Sequence, residues 1–596
     1  MMRPCDAPVW LPRPPLPPLT GPDVATGPLQ AQLLALRGVA AAEDARLFLL
    51  GRLKDLPDPD LLPDMAVAVA RLQQALATGE TIAVHGDYDV DGISGTALLC
   101  EGLRQLGGRV EYHIPLRLRD GYGLCGEALR QAAARGVRLV VSVDCGTSAL
   151  AEAQLSAELG MDLIVTDHHQ PPEKLPEVLA CINPWRTDSA YPFQPLAGVG
   201  VAFMLLLALQ RQLRLAGQLP QPAPDARLLL DLVALGTIAD LVPLTGVNRL
   251  LVRVGLELLQ QQPRAGLAEL LRLAGVDRVS AGVVGFKLAP RLNAAGRLAD
   301  AAAAVELLLN RQPAEVAPLA QQLDGCNRQR QQIEAETFAQ AIARVEAELP
   351  ASSRSIVLAD SRWHAGVIGI VASRLVERYH RPVVLIALAN DLAAGEGEGK
   401  GSARSIRGFH LYQALQGCHQ HLLGYGGHAA AAGLRLQPQR LAAFAEAFEQ
   451  QACAALQPQD LQPRRLFDLE VQLDELHEDS WRQITALAPF GMGNPEPLFL
   501  CRDLRICQLR TLSGGRHARF VLQQGGYSLP AIAFDVAERL TELNRPVDVL
   551  CQLQINRWRE RETLQLLVRD FRPAGSALQT GQTPAALDGD FFLDRV

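Results

Sequence analysis

Eleven cysteines are scattered through this chain without a single CxxC spacing, and their number is odd. That argues against a disulfide framework and fits a reducing compartment. No uninterrupted apolar run reaches the roughly 18 residues that a membrane span needs. The start, MMRPCDAPVWLPRPPLPPL, has no charged head followed by a long apolar core. A cytoplasmic protein without membrane association is expected. Net positive charge is missing too: the formal charge is -7, which does not fit a nucleic-acid binder held by bulk cationic charge. Any polyanion must be gripped locally.

What is present is a long, mixed globular sequence. At 596 residues and 48% hydrophobic, it should divide into three or four domains. The proline-rich first stretch, helical over Ala41 to Leu50, reads as an arm packed on the segment after it. Apolar strands then alternate with helices: Met65 to Leu76 helical, Thr81 to Val84 a strand, Ile93 to Leu106 a helix. Leu139 to Val143, Ala149 to Leu159 and Leu163 to Val165 make a compact βαβ unit whose strands must be parallel. The fold class is α/β. Leu228 to Leu259 is helical. Ala301 to Leu349, almost free of Gly and Pro, predicts a long polar helix joining two lobes, with a cleft between them. A second α/β unit starts at Ser355. Beyond Pro458, short alternating segments such as Leu466 to Leu473, Ala518 to Leu522, Leu529 to Phe534, Val547 to Ile555 and Thr563 to Val568 predict a small β-barrel.

Acid and histidine clusters close several of the apolar runs. They are His85-Gly-Asp-Tyr-Asp89-Val-Asp91-Gly92, Asp144-Cys-Gly146, Asp167-His168-His169, and Asp240 at the end of Ala-Leu-Gly-Thr-Ile-Ala-Asp. Carboxyl ends of strands in an open α/β sheet line one crevice, so distant clusters can converge. His85, Asp89, Asp91, Asp144, His168 and Asp240 offer more ligands than one ion needs, so two ions are implied. Carboxylates with imidazole and no thiolate suit Mn²⁺ or Mg²⁺, and ligand type alone does not exclude zinc. Two such ions would share an activated water and stabilise both oxygens at phosphorus, which points to phosphoester or phosphoanhydride hydrolysis. Catalytic roles fall to Asp89, Asp144 and His168 at the ions, and to His169, placed to donate to a non-bridging phosphate oxygen. Taken alone, each acid has a plainer reading as a helix N-cap. The combination is specific where its members are not.

The DYDVDG, VDCG, Asp-His-His and GTIADLVPL segments closely resemble the four motifs of the DHH phosphoesterase superfamily. Ala289-Pro-Arg-Leu-Asn-Ala-Ala-Gly-Arg297, Trp363-His-Ala-Gly-Val-Ile-Gly, Gly399-Lys-Gly-Ser-Ala-Arg404-Ser and Gly426-Gly-His428-Ala-Ala-Ala-Ala-Gly433 resemble its bacterial family of single-strand-specific 5′ to 3′ exonucleases. The resemblance covers about residues 40 to 573. It implies a parallel-sheet DHH catalytic domain (61–300), a DHH-associated substrate-clamping α/β domain (351–457) and an OB-fold nucleic-acid-binding barrel (458–575); the composition of the remaining stretches adds an N-terminal arm (1–60), a connecting long helix (301–350) and a tail (576–596). The resemblance also implies that the residues at the six ligand positions hold the metals. Asp87 is less certain as a direct ligand, and Asp167 supports a histidine from behind.

Arg291, His364, Ser402, Arg404 and His428 are expected to bind substrate, with the glycine-rich loop from Gly395 to Arg407 as a phosphate clamp. Arg117 and Arg119 could bind the 5′ end or form a solvated face. In the barrel, Phe520, Tyr527 and Trp558 are candidates for base stacking, alongside Phe499, Arg516, Arg519 and Arg559. The Pro489 to Pro497 stretch reads as a structural connection, and the acidic tail from Asp588 as disorder. The function expected is a metal-dependent exonuclease that acts on single-stranded DNA in repair and recombination, releases 5′ mononucleotides, and is monomeric. The partners implied are single-strand-binding protein and a DNA helicase. The alternative is a DHH-type phosphoesterase acting on short oligoribonucleotides or cyclic dinucleotides.

Overall fold

The computed structural model describes residues 2–5, 7–14, 27–117, 119–298, 300–388, 397–558 and 561–576, apart from the side chains at 513, 538, 540, 557, 558 and 561. The chain divides into two compact units. One holds residues 43–330 and 488–495, and the other 1–42, 331–487 and 496–596. Strand β1 (Val9–Pro12) belongs to the latter.

The first unit is built on β2 (Thr81–Gly86), β3 (Arg109–His113), β4 (Leu139–Val143), β5 (Asp162–Thr166) and β6 (Ala180–Ile182), all parallel, in the order β3-β2-β4-β5-β6. β2, β4 and β5 are buried almost throughout, as parallel strands covered on both faces must be. Ile82, Val84, Val141 and Ile164 pack against helices Val90–Gln105, Gly198–Leu215 and Leu230–Ala239. Ala83, Val140, Leu163 and Val165 face the other way, toward Gly126–Ala134 and Leu150–Glu158. The chain runs outward from β2 to β3 and returns past β2 to β4. Strand order therefore reverses between β2 and β4, and the crevice at their carboxyl ends is where such sheets bind ligands. Among the described residues one helix, Gly198–Leu215, is long and apolar enough to cross a membrane, and it is mostly buried in this core. Gln210, Arg211, Gln212 and Arg214 interrupt its apolar pattern, so a search for uninterrupted runs passes over it.

The expected long helix is two. Ala302–Leu309 ends at Asn310, whose side-chain oxygen accepts from the Gln312 N–H at 2.8 Å. Pro313 then opens a 36-residue helix, Pro313–Glu348, at a position where its missing N–H costs nothing.

In the second unit β7 (Ile356–Asp360), β8 (Val383–Leu388), β9 (Gly399–Arg404), β10 (Gly424–Gly427) and β11 (Ala431–Leu436) form a sheet in the order β10-β11-β9-β8-β7, with only β7 and β8 parallel. Further on, β12 (Arg464–Phe467) and β13 (Leu469–Glu470) precede the barrel strands β14 (Phe499–Leu512), β15 (His517–Gln524), β16 (Tyr527–Ala533), β17 (Val547–Trp558) and β18 (Arg561–Pro573). Neighbours pair as β14-β15-β16-β18-β17, and β17 pairs back on β14, closing a five-stranded barrel with no free edge. The arm divides: from Glu43 on it packs on the unit that follows, with Leu53 and Leu56 against the core and the Phe48 carbonyl accepting from Arg249 at 2.9 Å, while residues 1–42 belong to the second unit. β1 pairs in parallel with β12, and Trp10 packs with Phe467, Leu500 and Leu550 while its indole N–H donates to Asp570 at 2.9 Å. Burying that indole with its donor satisfied outweighs chain proximity.

Candidate active site

The site lies at the carboxyl ends of β2, β4 and β5. Asp89 caps the helix after β2: its Oδ1 accepts from the N–H groups of Asp91 (2.9 Å) and Gly92 (3.2 Å). One residue into the helix, buried Asp91 accepts from the N–H groups of Gly198 (2.6 Å) and Val199 (2.9 Å), the first residues of another helix. The positive end of that helix dipole favours the carboxylate. Asp144 follows β4 with φ 61°, a left-handed conformation that a non-glycine residue adopts under strain, as functional sites often require. Asp167, His168 and His169 follow β5, and Asp240 ends the helix Leu230–Ala239.

These side chains converge. His168 Nε2 lies 3.0 Å from Asp144 Oδ1, 3.6 Å from Asp240 Oδ2 and 3.8 Å from Asp91 Oδ2. Three overlapping groups have ligand atoms within 4.8 Å of one another: Asp87, Asp89 and Asp144; Asp144, His168 and His169; Asp91, His168 and Asp240. Five of the six expected ligands fall in them, joined by Asp87 and His169. His85 is outside the groups, buried at the end of β2 with its ring 5.2 Å from that of His113.

Asp167 holds the histidines from behind. Its Oδ1 accepts from the His168 and His169 N–H groups (2.7 and 3.1 Å) and lies 2.7 Å from His169 Nδ1, while Oδ2 accepts from the Thr147 N–H at 2.9 Å. Burial alone would raise the Asp167 pKa, but the bond and charge of His169 outweigh it and hold the group ionised. Burial works against a charged His169 as well, and Asp167 overrides it to raise that pKa. Two residues outside the sequence-based expectation complete the support. Asn183 Nδ2 donates to the His169 carbonyl at 2.8 Å, and the Tyr122 hydroxyl donates to the Asp144 carbonyl at 2.9 Å while lying 3.1 Å from His169 Nδ1.

The charge balance is unfavourable without cations. Burial, then the neighbouring acids, raises Asp87, Asp144 and Asp240 well above the carboxylate range and Asp91 to about 7. Burial lowers His168 to about 4 and His85 to about 3, leaving both neutral. His85 Nδ1, Asp87 Oδ1, Asp144 Oδ1 and His168 Nε2 are buried without a hydrogen-bond partner, the last two lying close but not in hydrogen-bonding geometry. Polar atoms left unpaired in a fold cost about 1–3 kcal/mol each. Three of them, on Asp87, Asp144 and His168, fall in the clustered groups, and these oxygens and imidazole nitrogen match the donor set of a hard divalent cation.

Small residues shape the cluster. A Cβ on Gly198 would lie 2.7 Å from Asp144 Cβ, and one on Gly236 would lie 2.7 Å from Asp91 Oδ1. The Pro489 segment docks directly after Asp240: the Leu244 N–H donates to the Met492 carbonyl at 2.7 Å, and Gly491 and Gly493 pack on Leu244 and Pro243.

The clamp is a strand rather than a loop. Ser402 and Arg404 lie two apart on β9, where antiparallel partners β8 and β11 hold it extended, and so share one face. The Arg404 guanidinium donates to Ser402 Oγ at 3.2 Å, and both lie against Gly369, near the N-terminus of helix Ile368–Tyr379. A hydroxyl, a guanidinium and a helix N-terminus together make an anion site. His364 is half-buried and accepts from the Gly366 N–H at 3.1 Å, and His428 is exposed after β10. Of the glycine-rich run, residues 395 and 396 lie outside the described residues. Arg291 is engaged with Asp324 (2.9 Å), Arg119 with Asp120 (2.7 Å), and Arg117 stacks 4.8 Å over the Tyr88 ring.

In the barrel, Phe520 and Phe499 are corrections. Both are buried, at 2% and 0% exposure, because alternate residues of β15 and β14 point inward, so neither can stack a base. Tyr527 is 57% exposed, and Arg516 and Arg519 are exposed. The Trp558 side chain, Arg559 and the tail from 577 lie outside the described residues.

A switch-point crevice lined by clustered aspartates and an Asp-His-His triplet defines a DHH-type phosphoesterase. Family models agree, matching the DHH family N-terminal domain over residues 81–237, the DHHA1 domain over 353–453 and the RecJ OB domain over 467–570. The chain belongs to the RecJ family. It is 39% identical over 567 residues to the single-stranded-DNA-specific exonuclease RecJ of Escherichia coli, covering 92% of this chain and 96% of that one. The RecJ of Bacillus subtilis is 38% identical over 549 residues, 91% of this chain and 68% of that protein. The crystal structure of RecJ from Thermus thermophilus in complex with Mn²⁺ matches with a TM-score of 0.78 at 33% identity, covering 92% of this chain and 76% of that one.

Proposed function

We propose that the chain is a metal-dependent exonuclease specific for single-stranded DNA, degrading it 5′ to 3′ to 5′ mononucleotides. The observation that carries this reading is the convergence of Asp91, Asp144, His168 and Asp240 at one crevice, in a chain that also carries a closed OB barrel. Asp89, Asp91, Asp144, His168 and Asp240 would hold two Mn²⁺ or Mg²⁺ ions, with Asp87, His85 and His169 at hand. Such ions supply a hydroxide-like water and neutralise charge at phosphorus. The chain's own groups do the rest. Asp167 favours the protonated form of His169, whose ring can then donate to a non-bridging phosphate oxygen. Ser402 and Arg404 bind a phosphate of the strand. Exposed Tyr527, Arg516 and Arg519 offer a stacking surface and cations to the strand on the barrel. Because the net charge is -7, the grip on DNA rests on such local sites.

A cytoplasmic monomer acting in repair and recombination, handed its strand by a helicase and single-strand-binding protein, is the cellular setting this activity fits. The test is single-stranded DNA labelled at either end, incubated with Mn²⁺ or Mg²⁺, with duplex and a dinucleotide alongside. Mononucleotide release from the 5′ label with duplex spared is expected. Cleavage of the dinucleotide alone would replace this reading with small-molecule phosphoester hydrolysis.

A further inference from the structure

The segment between β3 and the helix Gly126–Ala134 carries a second ligand cluster, apart from the acids of the active site. His113 at the end of β3, Asp120 and Cys125 have ligand atoms within 4.8 Å of one another, all on half-buried residues. His113 Nε2 is buried and has no hydrogen-bond partner. Cys125 is a free, half-buried thiol at the N-cap of the helix, where its side chain makes no capping bond. Asp120 accepts from the Leu116 N–H at 2.9 Å and pairs with Arg119, whose side chain is 70% exposed and can swing into solvent.

The geometry points to a zinc site formed by His113, Asp120 and Cys125, with a fourth position open to water. An imidazole, carboxylate and thiolate set suits Zn²⁺ and not Mg²⁺ or Mn²⁺. Bonds of about 2.0–2.3 Å need ligand atoms roughly 3.3–3.8 Å apart, so a closure of at most about 1.5 Å brings the three into bonding range. On binding, the Cys125 S–H bond breaks, its proton leaves to solvent, a zinc–sulfur bond forms, and Arg119 is displaced from Asp120. The same loop carries Arg117 over Tyr88, and Tyr122 against His169 and the Asp144 carbonyl. Zinc here pins the loop against the catalytic cluster and frees Arg119.

The test uses the full chain with excess Mg²⁺ present, titrated with Co²⁺ as a spectroscopic stand-in for zinc. A thiolate-to-cobalt charge-transfer band saturating at one equivalent is expected, displaced by Zn²⁺ and absent in Cys125→Ser, with Mn²⁺-supported DNA cleavage unchanged in that variant. No band in the wild type, or the same band in Cys125→Ser, overturns the site. Loop pinning is read by trypsin cleavage after Arg117 and Arg119. At Zn²⁺ about ten times its Kd, cleavage should slow roughly tenfold in the wild type and not in Cys125→Ser. Equal rates with and without Zn²⁺ overturn the pinning.

Discussion

The backbone N–H of Gly198 donates to the Asp91 carboxylate at 2.6 Å, and the space above Gly198 is filled by Asp144. One glycine thus positions two of the acids, one by its amide and one by having no side chain. A Gly198→Ala substitution places a Cβ 2.7 Å from Asp144 Cβ, and because Asp144 is fully packed the carboxylate must move. Misplacement by part of an ångström costs about tenfold or more in rate. We expect cleavage to fall at least that far and Mn²⁺ affinity to weaken, while the circular dichroism spectrum stays native. Unchanged Mn²⁺ affinity by calorimetry would remove the assignment of Asp144 to the metals.

Asp167 meets the two histidines with one oxygen. Asp167→Asn keeps an acceptor but loses the charge that raises the His169 pKa. Supporting groups of this kind are worth about 10–100-fold in activity. The fall should sit in kcat, and the alkaline limb of the pH–rate profile should move to lower pH.

Metal uptake and pH are linked with a definite sign. In the metal-free fold Asp91 titrates at about 7, against 3.8 for the free side chain, so between those values the folded state holds the extra proton. Stability from this group is complete below pH ~4 and is lost as pH rises toward 7. The metal-free protein should therefore melt lower at pH 8 than at pH 5.5, so far as this group decides. Cations reverse the order: their binding should release protons, tighten with rising pH and restore the melting temperature at pH 8. Calorimetry in buffers of different ionisation enthalpy counts the protons. Binding without proton release would contradict the raised carboxyl pKa values.

The segment Ala488–Pro495 braces the turn after Asp240, and Asn494, fully buried, ties it together through its Nδ2 bond to the Pro489 carbonyl at 2.8 Å. Asn494→Ala strands that carbonyl, at about 1–3 kcal/mol. Lower stability to urea together with weaker activity is the expected result. A stability loss with full activity would mean that the brace does not position Asp240.

Phe520 and Tyr527 make a matched pair on one hairpin. Phe520→Ala should destabilise the barrel by about 3–5 kcal/mol. Tyr527→Ala, at an exposed position, should leave the melting temperature alone and weaken single-stranded DNA binding by about 1–3 kcal/mol. If Tyr527→Ala binds DNA normally, the stacking surface lies elsewhere on the barrel.

The apolar runs Ile82 to Val84, Leu139 to Val143 and Leu163 to Val165 announced their strands because a strand covered on both faces has little alternative composition. β3, whose residues alternate charged and apolar, and β14, with arginines along its exposed face, did not. The acids and histidines were readable as a set because no packing requirement places six such groups at the ends of apolar runs. Asp87 and Tyr122 were harder, since an acid and a tyrosine in a glycine-rich turn have ordinary explanations.

The sequence by itself thus determined the fold class, the order of the domains and which polar residues are costly enough to need a function, because burial leaves its mark on composition. Tertiary structure decided what each neighbour does. It set Gly198 and Gly236 against the carboxylates, brought the Pro489 segment to Asp240, turned Phe520 inward, and tied Trp10 to Asp570 across nearly the whole chain. Those are contacts between residues far apart in sequence. Their energies depend on distances that no local pattern encodes.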